Sequence, residues 1–162
     1  MEIKDSGARR EFETGAVRDI QEGKGRCDLL PLDVVGKLYG GSSGMIFTHL
    51  SVFTKYNDIR SLYNALYYFA EFRQWHTADM LIEVSKHFED GAKKYGEYNW
   101  QKGIPTHCYI DSATRHLLKY LRGDNDEPHD RAFVWNILCC IWTCDNKPEL
   151  NDYKEKDDDR IN

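Results

Sequence analysis

The sequence predicts an all-α protein. Three observations carry that reading. Apolar residues recur at three- and four-residue steps through residues 77–95 and again through residues 113–122. From Ala132 to Trp142 every residue but Asn136 is apolar, the pattern of a helix buried on all sides. No stretch alternates apolar and polar residues over a convincing strand length. The expected architecture is a helical bundle of about five helices, three of them long, behind a non-helical N-terminal segment.

Composition narrows the function classes. The 162 residues fit one domain, expected over residues 1–145, with a charged tail at 146–162 expected to fray. A net charge of −5 argues against a nucleic-acid polymer as partner, because phosphate contacts need a basic surface. No apolar run reaches the roughly 20 residues that span a bilayer. The N-terminal stretch has no apolar leader region, so a cytoplasmic location is expected. The five cysteines include no Cys-x-x-Cys pair and read as small buried thiols.

Along the chain, residues 1–31 are polar and carry Gly7, Gly15, Gly23 and Gly25. Gly23-Lys24-Gly25-Arg26 reads either as an exposed loop or as a phosphate cradle, since glycines let backbone N–H groups approach an anion. Pro31 to Leu38 suits a short helix, Gly40 to Gly44 a loop, and Ile46 to Phe53 a second short apolar run. Asp58 suits the N-cap of a helix from Ile59 to Phe72. That segment is rich in aromatic residues and reads as core or as a partner face around Tyr63 and Tyr67. The next helix, Thr77 to Tyr95, ends at Gly96 after the Lys93-Lys94 pair. Asp111 or Ser112 suits the cap of a helix from Ala113 to Arg122, which Gly123 ends. An acidic mouth follows, with Asp124, Asp126, Glu127 and Asp130 leading into the buried helix.

Three helices therefore bring carboxylates: Glu83 and Glu89, then Asp111, then Asp126, Glu127 and Asp130. Bundle cores assemble metal sites from facing helices. Carboxylate ligation suits Mg²⁺ or Mn²⁺. Lys24, Arg26, Lys93, Lys94, Arg115 and Lys119 would suit a polyphosphate.

Four blocks carry a resemblance: GARREFETGAVRD, GKGRCDLLPLDVV, HFEDGAKKYGEYNWQKGIP and YIDSATRHLLKYLRGDNDEPHDRAFVWN. Together they resemble the dATP/dGTP diphosphohydrolase domain family, common in phages and prophages and grouped with the MazG-like all-α nucleoside triphosphate pyrophosphohydrolases. The resemblance covers residues 7–37 and about 80–143. It implies a MazG-like helical bundle, and hydrolysis of a purine deoxynucleoside triphosphate to the monophosphate and pyrophosphate. It also implies Mg²⁺ (or Mn²⁺) as cofactor, a homo-oligomer, and the host cytoplasm where the gene is carried by a phage. MazG-like enzymes hold the ion with Glu-x-x-Glu and Glu-x-x-Asp pairs. Here Glu127 and Asp130 fit the second pair, but Glu83 and Glu89 stand six apart and depart from the first.

On that footing the metal ligands expected are Glu89 first, then Asp126, Glu127 and Asp130, then Asp111 and Glu83. Glu89, Glu127 and Asp130 are the expected catalytic group. Lys24, Arg26, Lys93, Lys94 and Arg115 would hold phosphates. Tyr95 or Trp100 would stack on the base, and Asn99 or Asn136 would bond to sugar or base. His116 and His129 complete the expected binding set. Two rival readings stand beside this one. His116, His129-Asp130 and Asp145 follow the order of an HD-type phosphohydrolase. A non-catalytic helical binding module would leave the carboxylates solvated.

Overall fold

The computed structural model describes residues 4–154. Among them the chain opens with an antiparallel hairpin, β1 (Arg9–Glu11) and β2 (Val17–Asp19), in which Arg10 faces Arg18. Six helices follow: α1 (Leu32–Tyr39), α2 (Gly41–Tyr56), α3 (Ile59–Arg73), α4 (Thr77–Tyr95), α5 (Thr106–Arg122) and α6 (His129–Asn146). Short 3-10 turns lie at Cys27–Leu29, Asn99–Lys102 and Pro148–Leu150. The protein is all-α, with one helix more than expected and a short hairpin in the N-terminal segment.

The centre is α6. Phe133, Val134, Ile137, Cys140 and Thr143 are among its buried residues, and it packs on α3, α4 and α5. Its one buried amide is satisfied locally: Asn136 Nδ2 donates to the Ala132 carbonyl at 2.8 Å. The five cysteines are free, with Cys139, Cys140 and Cys144 buried.

Local chemistry explains most boundaries. Asp58 caps α3 by accepting from the Arg60 amide at 3.1 Å. Gly96, at φ 91°, ends α4 where no L side chain sits comfortably. The Gly-Ser stretch at 40–44 is not a loop beyond its first residue, because α2 already starts at Gly41. Its glycines serve packing. A Cβ on Gly36 would lie 2.8 Å from the Gly44 carbonyl oxygen and 2.8 Å from Thr48 Oγ1, so α1 and α2 cross backbone to backbone there.

Two further expectations are corrected. The fifth helix starts at Thr106, which leaves Asp111 within the helix rather than at its cap. Residues 147–154 do not fray from the domain. Tyr153 packs its ring 5.3 Å from that of Phe53, and Asn151 donates to the Asn57 side chain at 2.7 Å. The remainder of the tail lies outside the described residues. No helix among the described residues is long and apolar enough to cross a membrane.

Candidate functional site

A cavity of about 680 Å³ opens between the hairpin, the C-terminal half of α4, the first four turns of α5 and the start of α6. Among the described residues, eight Lys or Arg side chains line it against four Asp or Glu. That balance reverses the net charge of −5 carried by the whole chain.

The cations are held by specific partners. Arg18 Nη2 donates to Ser112 Oγ at 3.1 Å and to Asn136 Oδ1 at 3.0 Å, which draws β2 onto α5 and α6. Asp111, 3 % exposed, accepts from the Cys27 amide at 2.6 Å and from Arg115 Nη2 at 2.6 Å. Arg115 also donates to the Gly25 carbonyl at 2.7 Å. Asp111 and Arg115 thus fasten the Gly23–Arg26 loop, and Lys24 and Arg26 reach the cavity from it. Burial lowers the Lys24 ammonium below its usual range. The Asp28 carboxylate beside Arg26 holds that guanidinium firmly charged. Lys94, its side chain 8 % exposed, pairs with Asp19 at 3.0 Å. Asp19 also accepts from the Tyr95 hydroxyl at 2.8 Å, and burial together with that bond raises the phenol above its ordinary value.

The inner end is aromatic. The Phe88 ring lies 5.6 Å from that of Trp100 and 5.9 Å from that of Trp135. Three buried polar atoms on cavity-lining residues have no partner among the described residues: Arg18 Nη1, His87 Nδ1 and Trp135 Nε1. Buried polar groups are normally paired, so three orphans around one cavity mark it as the candidate site. Burial, with Arg131 and Arg18 nearby, pushes His87 down to about 3 and keeps it neutral. Gly91 lines the same wall, and a Cβ there would meet nothing within 4 Å.

Beside the cavity, His116 Nδ1 and His129 Nδ1 stand 2.9 Å apart, bridging α5 and α6. Glu127 offers a carboxylate oxygen within the same 4.8 Å sphere. His129 Nε2 lies 2.8 Å from Asp126 Oδ1, and Asp124 joins Asp126 and His129 in an overlapping group. Burial, together with His129, holds His116 well below its usual value. Hydrogen bonds from Lys4 and His129 hold the Asp126 carboxyl well below the carboxylate range. Imidazoles beside carboxylates are a donor set that fits a divalent ion.

Of the expected residues, the cavity gathers Lys24, Arg26, Lys94, Tyr95, Asn99, Trp100, Asp111, Arg115, His116 and Glu127. Asp126 and His129 adjoin it through His116 and Glu127. Others are placed elsewhere. Glu89 is 65 % exposed and pairs with Lys93 at 3.3 Å, so neither points inward. Glu83 pairs with Lys86 at 2.5 Å. Asp130 accepts from Arg73 Nε at 3.0 Å. Asp111 is not a free ligand, since both its oxygens are engaged. Asn99 spends its amide on Val17, accepting at 2.9 Å and donating at 2.8 Å, while Asn136 spends its own on Arg18 and Ala132. Asp145 is exposed near the far end of α6, sixteen residues from His129, or about 24 Å along a helix, so the HD order does not close into a site. Sequence reasoning passed over Arg18, His87, Gly91 and Trp135, all of which lie inside the quoted blocks but are marked by no spacing.

A family model described as dATP/dGTP diphosphohydrolase, N-terminal, matches residues 62–153, more than half of the chain. The chain belongs to that family. The match takes in the dATP/dGTP diphosphohydrolase blocks at 80–143 and runs on through most of α3, where no motif stood out. It leaves the hairpin and the Gly23–Arg26 loop outside it. No curated protein and no solved structure matches the chain.

Proposed function

We propose that the cavity binds a purine deoxynucleoside triphosphate and that the protein hydrolyses it to the monophosphate and pyrophosphate. The reversal of charge carries this reading: a net-acidic chain concentrates eight cations around one cavity with an aromatic inner end. The membership of the dATP/dGTP diphosphohydrolase family supports the same substrate class. The base stacks among Phe88, Trp100 and Trp135, and Lys24, Arg26, Arg115 and Lys119 take the phosphates at the cationic end.

In the reaction, a water oxygen bonds to the α-phosphorus while the bond from that phosphorus to the α,β-bridging oxygen breaks. The electron pair leaves with pyrophosphate. Glu127 is the lining carboxylate whose hydrogen bond among the described residues is the Lys4 amide at 3.2 Å, and the oxygen it does not offer to an ion takes the water's proton. Arg18 and Arg115 stabilise the charge that gathers on the phosphoryl oxygens. His116, His129 and Glu127 would hold a divalent ion, which when bound acidifies water and neutralises phosphate charge.

A second reading, nucleotide binding without hydrolysis, is favoured by the engagement of Asp5, Asp19 and Asp111, three of the four lining carboxylates, in bonds to cations. The matched family model also describes an N-terminal portion. One assay separates the two. Each of the four deoxynucleoside triphosphates is incubated with the protein, with and without Mg²⁺ or Mn²⁺, and the phosphorus products are identified. Pyrophosphate with a purine monophosphate supports hydrolysis. Release of intact triphosphate contradicts it, and retained nucleotide without turnover favours the binding module.

A further inference from the structure

We propose that His116, His129 and Glu127 form a mixed nitrogen–oxygen centre for a first-row transition ion such as Mn²⁺, Fe²⁺ or Co²⁺, rather than a carboxylate site for Mg²⁺. The inference rests on the hydrolase reading only for the use made of the ion, not for its binding.

The geometry comes first. Two helices each contribute one imidazole, and the Nδ1 atoms are 2.9 Å apart. Two nitrogens about 2.1 Å from one ion stand about 3.0 Å apart at an octahedral right angle, and about 3.4 Å apart at a tetrahedral angle. The observed spacing matches the octahedral case. Glu127 adds an oxygen within the same 4.8 Å sphere.

Asp126 fixes which nitrogen is free. It accepts from His129 Nε2 at 2.8 Å, so the Nδ1 lone pair of His129 faces His116. A carboxylate behind a histidine is the usual support of a ligating imidazole. Without an ion, the proton between the two histidines sits on His116 Nδ1. Binding moves that proton to His116 Nε2 through solvent, with no net proton released. His129 is 2 % exposed, so its nitrogen is withheld from bulk water. Lys4 lies on the outer side, its ammonium on Asp126 and its amide on Glu127.

Nitrogen ligands decide the metal. Mg²⁺ prefers an all-oxygen shell, whereas affinity for imidazole rises from Mn²⁺ through Fe²⁺ and Co²⁺ to Ni²⁺.

The test uses the full chain, stripped of metal with a chelator and free of nucleotide. Co²⁺ is added while its visible absorption is followed, and Mg²⁺ binding is measured by calorimetry. Co²⁺ should bind about 100-fold tighter than Mg²⁺. His116→Ala should weaken Co²⁺ by at least about 10-fold, and Asp126→Asn by about 10-fold. Circular dichroism of each variant checks the fold, and Glu127→Gln, which leaves both imidazoles in place, should still shift the Co²⁺ spectrum. Unchanged Co²⁺ affinity in a folded His116→Ala overturns the proposal, as does equal affinity for the two ions. If Co²⁺ binds as expected but no triphosphate is cleaved, the hydrolase reading falls and the centre stands. If Mg²⁺-supported cleavage persists in a His116→Ala variant that no longer distinguishes the ions, the centre is real but not the catalytic one.

Discussion

Arg18 Nη2 donates to Asn136 Oδ1 at 3.0 Å and so ties the hairpin to the middle of the buried helix. The bond gives Asn136 a reason to interrupt an apolar run. It also aims a guanidinium whose Nη1 is left unpaired toward the cavity wall. A hydrogen bond to a charged partner contributes about 1.5–3 kcal/mol. A double-mutant cycle of Arg18→Ala with Asn136→Ala, read by urea unfolding, should return a coupling energy in that range. Additive losses would mean that the two residues act independently.

Gly91 gives a sharper separation of stability from function. A glycine inside a helix costs about 1 kcal/mol relative to alanine. Nothing lies within 4 Å of a Cβ built on Gly91, so packing does not require the glycine. Gly91→Ala should therefore raise the unfolding free energy by up to about 1 kcal/mol. On the proposed nucleotide reading, the missing side chain leaves space in the cavity wall that Gly91 lines.

The acidic residues divide into those that are buried and paired and those that are solvated. Glu89→Gln should cost at most about 1 kcal/mol of stability, because that is the most an exposed ion pair contributes. Asp111→Ala should be severe. It strands the Arg115 guanidinium and the Cys27 amide, and removing one partner of a buried pair costs about 3–5 kcal/mol. Chemical denaturation of the two variants measures the contrast.

His107 ties the C-terminal segment to α5 and should make stability depend on pH. The hydrogen bond to Asp152 at 2.6 Å, helped by Cys108, raises its pKa to about 10. A histidine raised in the folded state contributes fully below its unfolded value of about 6.5. That contribution fades as pH climbs from about 6.5 to about 10. Melting temperatures of wild type should fall across that window, and His107→Ala should start lower and fall less.

The long helices were legible because a helix buried on one side writes its period into the chain. The ends of α4 came out residue for residue, since Gly96 at φ 91° has a purely local cause. The start of α2 did not. Gly41 to Gly44 looks like a loop by composition, yet Gly44 is needed for the close approach of α1, a tertiary demand that no local rule reveals. The site divides the same way. Lys24, Arg26, Arg115 and Trp100 were visible inside recognisable blocks. Arg18 and His87 were not singled out, because what marks them is an unpaired atom beside a cavity. Glu89 and Lys93 were misplaced because a helix period gives a face but not which face turns inward. Lys94, one residue on, is the cation that does turn inward.

The central claim is that the cavity holds a purine deoxynucleotide. Its most direct test is calorimetric titration with the α,β-imido analogues of dGTP and dATP, which cannot be cleaved at that bond. Wild type, Arg18→Lys and Gly91→Trp are compared. Wild type should bind, and each variant should bind at least about 10-fold more weakly, the loss of about 1.4 kcal/mol expected when a charged contact or the space itself is removed. Affinity unchanged in folded Arg18→Lys and Gly91→Trp would place the nucleotide elsewhere and contradict the account.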